Sequence, residues 1–393
     1  MQTFYIIGIS DNRNQFLSPE IRNLVSQGKV FSGGKRHHEL VHAYLPEDAV
    51  WIDITVPLDA VFCRYEEHPE IIVFASGDPL FFGFANTVMR KLPSAKIILF
   101  PTFNSLQMLA HRILLPYQEM QTLSLTGRPW DAFDSALIRG DKLIGVLTDR
   151  EKTPATIAAR MLEYGYDNYR LPVGEALGNG EEESVRTFSL EEASQSAFRF
   201  PNCLILQRNK VHPRPFGIPE SEFHLLNGRN RMITKMPVRL LTLSMLTLRE
   251  KKSFWDIGFC TGSVSIEAKL QFPELKVTAF EQRPEGKELM ERNSRKFGTP
   301  GITTVMGDFL ETELGGLPAP DAVFIGGHGG KMIEILQKIK EVLLPDGVIV
   351  FNSVSEESKA LFTKGITQIN KKVTQCTRIA VDAFNPIEIM RAE

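Results

Sequence analysis

Cysteine is scarce. The 393-residue chain has four, Cys63, Cys203, Cys260 and Cys376, and no CxxC pair. This argues against a disulfide framework and against a zinc site, so no metal is expected and the four read as small hydrophobes. Long apolar runs are also missing. No stretch approaches the roughly 18 uncharged residues of a membrane span. The opening MQTFYIIGIS lacks the positive segment and the apolar length of a signal peptide, so the expected location is cytoplasmic. Net charge is nearly absent too, at -2. A near-neutral chain offers no general basic field to nucleic acid or to an anionic membrane, and basic and aromatic residues do not interleave as a base-stacking surface requires.

What is present is the material of real cores, with 43% hydrophobic and 23% charged residues. The length suggests two or three folded units. Pro213, Pro215 and Pro219 crowd the segment RNKVHPRPFGIPE. Closely spaced prolines stiffen a chain rather than fold it, which predicts a linker over 209–220 between domains 1–208 and 221–393. In the first domain Phe4–Ile9, Ile71–Ala75, Ile97–Phe100, Leu143–Thr148 and Cys203–Gln207 read as buried strands. Thr153–Tyr164 reads as a helix, with Thr153 as cap and Pro154 at its first position. This alternation predicts α/β layering in two lobes, about 1–115 and 116–208. The second domain reads as one doubly wound α/β unit. Its strand candidates are Ser253–Ile257, Lys276–Phe280, Thr303–Met306, Asp321–Ile325 and Val348–Phe351, with a closing pair at Thr374–Val381 and Glu388–Arg391. There is no internal repeat, and Glu181–Glu183 is the one low-complexity patch.

The strongest chemical signal is WDIGFCTGSVSIEAKL, Trp255–Leu270. A strand ends in Asp256, turns through Gly258 and Gly262, and enters a helix near Ser263. Small residues let the backbone approach a ligand, and free N–H groups at a helix start favour a carboxylate. Glu281 closes the next strand, where an acid can accept from two ribose hydroxyls, and Asp308 follows the third, where it can reach an adenine amino group. Together these residues make a nucleoside-binding series. Nicotinamide binding uses similar parts, but G-F-C-T-G resembles the glycine loop of class I S-adenosylmethionine methyltransferases better than it resembles G-x-G-x-x-G. Cys260 stands where that family has its middle glycine, and a positive φ there would be strained.

In the first half FASGDPLFFG, Phe74–Gly83, ends a strand in Ser76 and turns through Gly77, Asp78 and Pro79. SGGKRHHEL (Ser32–Leu40), TFNSLQMLAHRILLP (Thr102–Pro116), SLTGR (Ser124–Arg128) and LTDREKTPATIA (Leu147–Ala158) accompany it. In order and spacing they resemble the tetrapyrrole methylase family, nearest to its C5-methylating precorrin branch. One departure stands out: Gly8-Ile9-Ser10-Asp11-Asn12 replaces the usual G-x-G-P-G after the first strand. From about Gly217 the chain resembles the decarboxylating C15-methylating partner, through ITKMPVR (Ile233–Arg239), the glycine loop and PAPDAVFIGG (Pro318–Gly327). Two such halves in this order resemble the bifunctional corrin-ring methyltransferases of cobalamin biosynthesis.

The resemblance implies a tetrapyrrole-methylase fold of two α/β lobes followed by a Rossmann-like class I domain. It implies S-adenosylmethionine at two sites and a reduced tetrapyrrole substrate, a precorrin, with loss of the C12 acetate carboxylate. It also implies a homo-oligomer, with neither nucleic acid nor membrane as partner. Donor contacts would fall to Asp256, Gly258, Gly262, Glu281 and Asp308 in one half, and to Ser76, Gly77, Asp78 and Pro79 in the other. A polycarboxylate needs cations. One cluster is Arg229, Arg231, Lys235 and Arg239; the other is Lys35, Arg36, His37 and His38. Lys235 is the leading single candidate. His328, set among glycines in GGHGG, is a candidate to contact a carboxylate or give a proton, and Asn352 a candidate to line the pocket. Two other readings remain open: an RNA methyltransferase, and a single active second half beside a non-catalytic first half.

Overall fold

The apolar runs of the first half form two five-stranded sheets. The first contains β1 (Thr3–Ile9), β2 (Val30–Gly33), β3 (Val50–Asp53), β4 (Glu70–Ser76) and β5 (Lys96–Phe100), all parallel in the order β3-β2-β4-β1-β5. Both faces are covered, which is why β1 and β4 read as continuous apolar runs rather than alternating ones. Phe4, Ile6 and Val73 pack on one side with Tyr65, while Ile7, Phe31 and Phe74 pack on the other. A helix, Ser105–Arg112, precedes the second sheet. Asn104 caps it, accepting from the Gln107 amide at 2.9 Å while Gln107 accepts from the Asn104 amide.

The second sheet holds β6 (Gln121–Ser124), β7 (Leu143–Leu147), β8 (Tyr169–Glu175), β9 (Ser184–Phe188) and β10 (Asn202–Arg208), in the order β6-β7-β10-β8-β9. Only β6 and β7 run parallel. The predicted helix after β7 spans Pro154–Glu163.

The third sheet has seven strands: β11 (Ser253–Ile257), β12 (Lys276–Glu281), β13 (Ile302–Met306), β14 (Ala322–Ile325), β15 (Val348–Ser353), β16 (Val373–Ile379) and β17 (Ile387–Ala392). Their order is β13-β12-β11-β14-β15-β17-β16, with the first five parallel and β17 antiparallel to both neighbours. The strand order reverses between β11 and β14. That switch point opens a crevice at the carboxyl ends of the strands, where open α/β sheets bind ligands. Trp255 is wholly buried beneath it, its ring 5.0 Å from that of Phe280.

The structure, a computed structural model, describes residues 2–229, 232–382 and 385–393. Two compact units emerge: Met1–Arg128, Lys142–Ala159 and Tyr169–Asn209 in one, Pro129–Asp141, Arg160–Asn168 and Lys210–Glu393 in the other. The early stretches join the second unit through shared burial. Ile138 packs with Ile218, Phe223 and Ile266, and Arg160 makes two hydrogen bonds to Asp134, at 2.9 and 2.7 Å. Among the described residues no helix is long and apolar enough to cross a membrane.

Candidate functional site

In the second unit the carboxyl ends of β11, β12 and β14 border a cavity of about 750 Å³. Gly258 turns at φ +81°, and a Cβ there would lie 3.0 Å from the Gly327 amide nitrogen. Gly262, at φ +76°, precedes the helix Ser263–Gln271. Between them Cys260 adopts φ +51°. This is the left-handed conformation expected to strain a non-glycine residue, at a cost of about 1–2 kcal/mol. Its amide donates to Glu281 Oε2 at 2.9 Å, which helps hold the turn.

Glu281 is buried, and it also accepts from the Arg283 amide and guanidinium at 2.9 and 3.2 Å. Arg283 Nη1 also reaches Oε2 at 3.4 Å, so the about four acceptor positions of the carboxylate are taken, and a hydroxyl would enter by displacing the partly exposed Arg283 side chain. Asp256 is buried as well. Oδ2 accepts from the Ser265 hydroxyl at 2.6 Å, whereas Oδ1 has no protein partner. Burial, with the Glu281 charge adding to it, pushes the carboxyl up to about 7. Asp308 borders the same cavity and pairs with Lys331, Nζ to Oδ2 2.9 Å.

Lys235, His328 and Asn352 also line this cavity. Lys235 stands at the cap of the helix Met236–Met245. Burial lowers the His328 pKa, which favours the uncharged ring. Nδ1 accepts from the Gly330 amide at 3.2 Å, which leaves the proton on Nε2. Asn352 Oδ1 lies 3.1 Å from the Thr242 hydroxyl.

The first unit has its own cavity of about 510 Å³, at the carboxyl ends of β1 and β4 and facing β6 and β7. A side-chain network organises it. Asp11 pairs with Arg36 at 3.0 Å, and Arg36 donates to Ser76 Oγ at 3.0 Å. His37 Nδ1 accepts from the Gly34 amide at 3.2 Å, so Nε2 donates to Ser76 Oγ at 2.9 Å. With two donors on its oxygen, Ser76 is left to point its own proton elsewhere. Burial first, then the Arg36 charge, lowers His37 to about 4. The departure at Gly8–Asn12 thus has a local role: its Asp11 holds Arg36.

Some expectations need correcting. Arg239 is not a substrate ligand, because it is fully buried and paired with Glu267 at 3.0 Å. It also donates to the carbonyls of Thr234 and Ile218. Glu267 in turn accepts from the Gly217 and Ile218 amides at 2.6 and 3.2 Å, pinning the proline-rich segment. Arg239 therefore positions the chain that enters Lys235. Lys35 is exposed and lies off the cavity, unlike its neighbour Arg36. Ser76 and Gly77 line the first cavity, whereas Asp78 and Pro79 build its turn, Asp78 accepting from the Leu80 amide at 2.9 Å. Arg229 donates towards Met232 Sδ at 3.8 Å, and Arg231 lies outside the described residues. Sequence reasoning missed Lys331 and Arg283. Each lies within three residues of a candidate, which was the available signal.

Comparison with known proteins adds to this geometry. A family model for a precorrin methyltransferase domain matches residues 227–392. The decarboxylating precorrin-6Y C(5,15)-methyltransferase of a Sinorhizobium species is 33% identical over 371 residues, covering 91% of this chain and 86% of that one. The protein of the same name from Mycobacterium tuberculosis H37Rv is 25% identical, covering 93% and 90%. The decarboxylating cobalt-precorrin-6B C(15)-methyltransferase of Salmonella typhimurium is 34% identical over 162 residues, covering 41% of this chain and 83% of that one.

Proposed function

The chain belongs to the family of decarboxylating precorrin-6Y C5,15-methyltransferases, and from that premise we propose that each half carries one methyl-transfer centre. It is a methyltransferase of cobalamin biosynthesis. In this reading the first unit methylates C5 of the precorrin, and the second methylates C15 with loss of the C12 acetate carboxylate. The observation that carries it is the presence of two separate cavities, each at the carboxyl ends of parallel strands and each in its own unit.

S-adenosylmethionine suits the second cavity. Gly258 and Gly262 bring backbone close, the free Asp256 Oδ1 awaits a donor, and Glu281 would take ribose hydroxyls in place of the partly exposed Arg283 guanidinium. Asp308 Oδ2 would take the adenine amino group. When bound, this donor supplies an electrophilic sulfonium methyl. The protein's own task is then to align the acceptor carbon and exclude water, a task that asks for no protein nucleophile. Lys235 in one cavity and Arg36 in the other hold substrate carboxylates by charge-assisted bonds. With Nδ1 accepting from the Gly330 amide, His328 offers Nε2–H as a hydrogen-bond donor to a substrate carboxylate.

Calorimetric titration of S-adenosylhomocysteine into the full-length chain tests the reading. Two equivalents per chain are expected, with one lost in Glu281→Ala. Uptake of a single equivalent that Glu281→Ala abolishes would leave the first half without a donor site, and no uptake would remove the proposal.

A further inference from the structure

We propose that Lys331 is a substrate-carboxylate ligand that Asp308 masks, and that donor binding unmasks it. The inference rests on the reading that Asp308 accepts from the adenine amino group. Asp308 follows β13, and Lys331 precedes the helix Met332–Val342 after β14; both border the second cavity. Asp308 Oδ1 is already committed to the Leu310 amide at 2.9 Å. Oδ2 is the oxygen that holds the charge pair, with Lys331 Nζ on it at 2.9 Å. An adenine amino group arriving at Oδ2 would share that atom with the ammonium and weaken its hold.

The pair is poised to open. Its side chains are 28% and 55% exposed, and a solvated ion pair is weak. The neighbouring Lys338 cannot take the same part, because it donates to the Leu310 and Thr312 carbonyls at 2.7 and 2.6 Å. The turn that carries Lys331 has open space around it. The Lys331 amide donates to the His328 carbonyl at 2.8 Å and the Gly330 amide to His328 Nδ1, so 328–331 forms one tight turn. A Cβ added at Gly327, Gly329 or Gly330 would meet nothing within 4 Å. Once displaced, the ammonium and the His328 ring are free to shift together towards a polycarboxylate. Linkage then requires donor and substrate each to tighten the other by the same factor.

The test uses the full-length chain, S-adenosylhomocysteine and a stable octacarboxylate porphyrin as probe. In the wild type the nucleoside should strengthen porphyrin binding. Lys331→Met should bind S-adenosylhomocysteine at the Glu281-dependent site about two- to five-fold more tightly, the range of an exposed ion pair, and should lose the coupling. Lys331→Arg should retain it. Coupling that survives in Lys331→Met, or is missing from the wild type, overturns the masking. Asp308→Asn separates the underlying reading: unchanged nucleoside affinity there would mean that Asp308 does not hold adenine. Weakened affinity with unaltered Lys331→Met behaviour would mean that only the mask is wrong.

Discussion

The two cavities hold their strand-end loops by different means. In the second unit the loop is set by backbone, through positive φ at Gly258 and Gly262 and amides of Cys260 and Arg283 donating to one buried carboxylate. In the first unit the corresponding place is held by side chains, with the adjacent Arg36 and His37 meeting Ser76 and Asp11 from another segment holding Arg36. A backbone-built loop can be recognised from a short run of sequence. A side-chain network cannot, because its members are brought together only by the sheet order that sets β2 beside β4 and β4 beside β1.

The contrast between buried Arg239 and cavity-facing Arg36 gives the largest expected effect. Arg239→Met leaves Glu267 charged and unpaired in the interior, so unfolding free energy should fall by about 3–5 kcal/mol in a denaturant titration. Adding Glu267→Gln should restore much of it. Full stability in the single variant would contradict the assignment of Arg239 as structural.

Backbone crowding comes next. A Cβ on Gly8 would sit 1.9 Å from the Gly77 carbonyl oxygen, whereas one on Gly262 meets the movable Met290 Sδ at 2.5 Å. Gly8→Ala should cost about 3 kcal/mol, the upper end for overpacking, and appear as a lower melting temperature. Gly262→Ala should cost less and act mainly by weakening nucleoside binding.

The halves should also respond to pH in opposite senses. His37, lowered from 6.5 to about 4, binds fewer protons folded than unfolded, so its contribution is present above pH 6.5 and fades on acidification towards and through pH 4. Asp256, raised from 3.8 to about 7, binds more protons folded, so its contribution is complete below pH 3.8 and lost as pH rises through 7. Each effect is on the order of 1–3 kcal/mol. Thermal melts across pH 4–8 should show His37→Gln flattening the acid limb and Asp256→Asn the alkaline limb. A shared response in both variants would break the distinction.

The smallest stability effect belongs to Arg36→Met. Its pair with Asp11 is partly exposed, so less than about 1 kcal/mol should be lost. The KM for C5 methylation should nevertheless rise about tenfold or more, as for a lost charged hydrogen bond. An unchanged KM would take Arg36 out of the substrate site.

Local chemistry was legible in the sequence. Ser253–Ile257 is legible as a strand because Phe254, Trp255 and Ile257 supply the apolar side chains that a parallel strand covered on both faces needs. Glycines mark the turns because positive φ is a property of the single residue, and Glu281 and Asp308 follow strand ends because strand length fixes where a chain emerges. Charge destination was not legible. Lys235 and Arg239 are near neighbours, yet one lines a cavity while the other closes a buried pair with Glu267. Lys35 and Arg36 divide in the same way between solvent and cleft. Which side a cation faces depends on the partner that tertiary packing delivers, and Glu267, Asp11 and Asp308 are delivered from distant segments. The sequence by itself determined the sheets, the turns and the supply of acids and cations; only the tertiary structure decided which of those charges were spent on each other and which were left for a ligand.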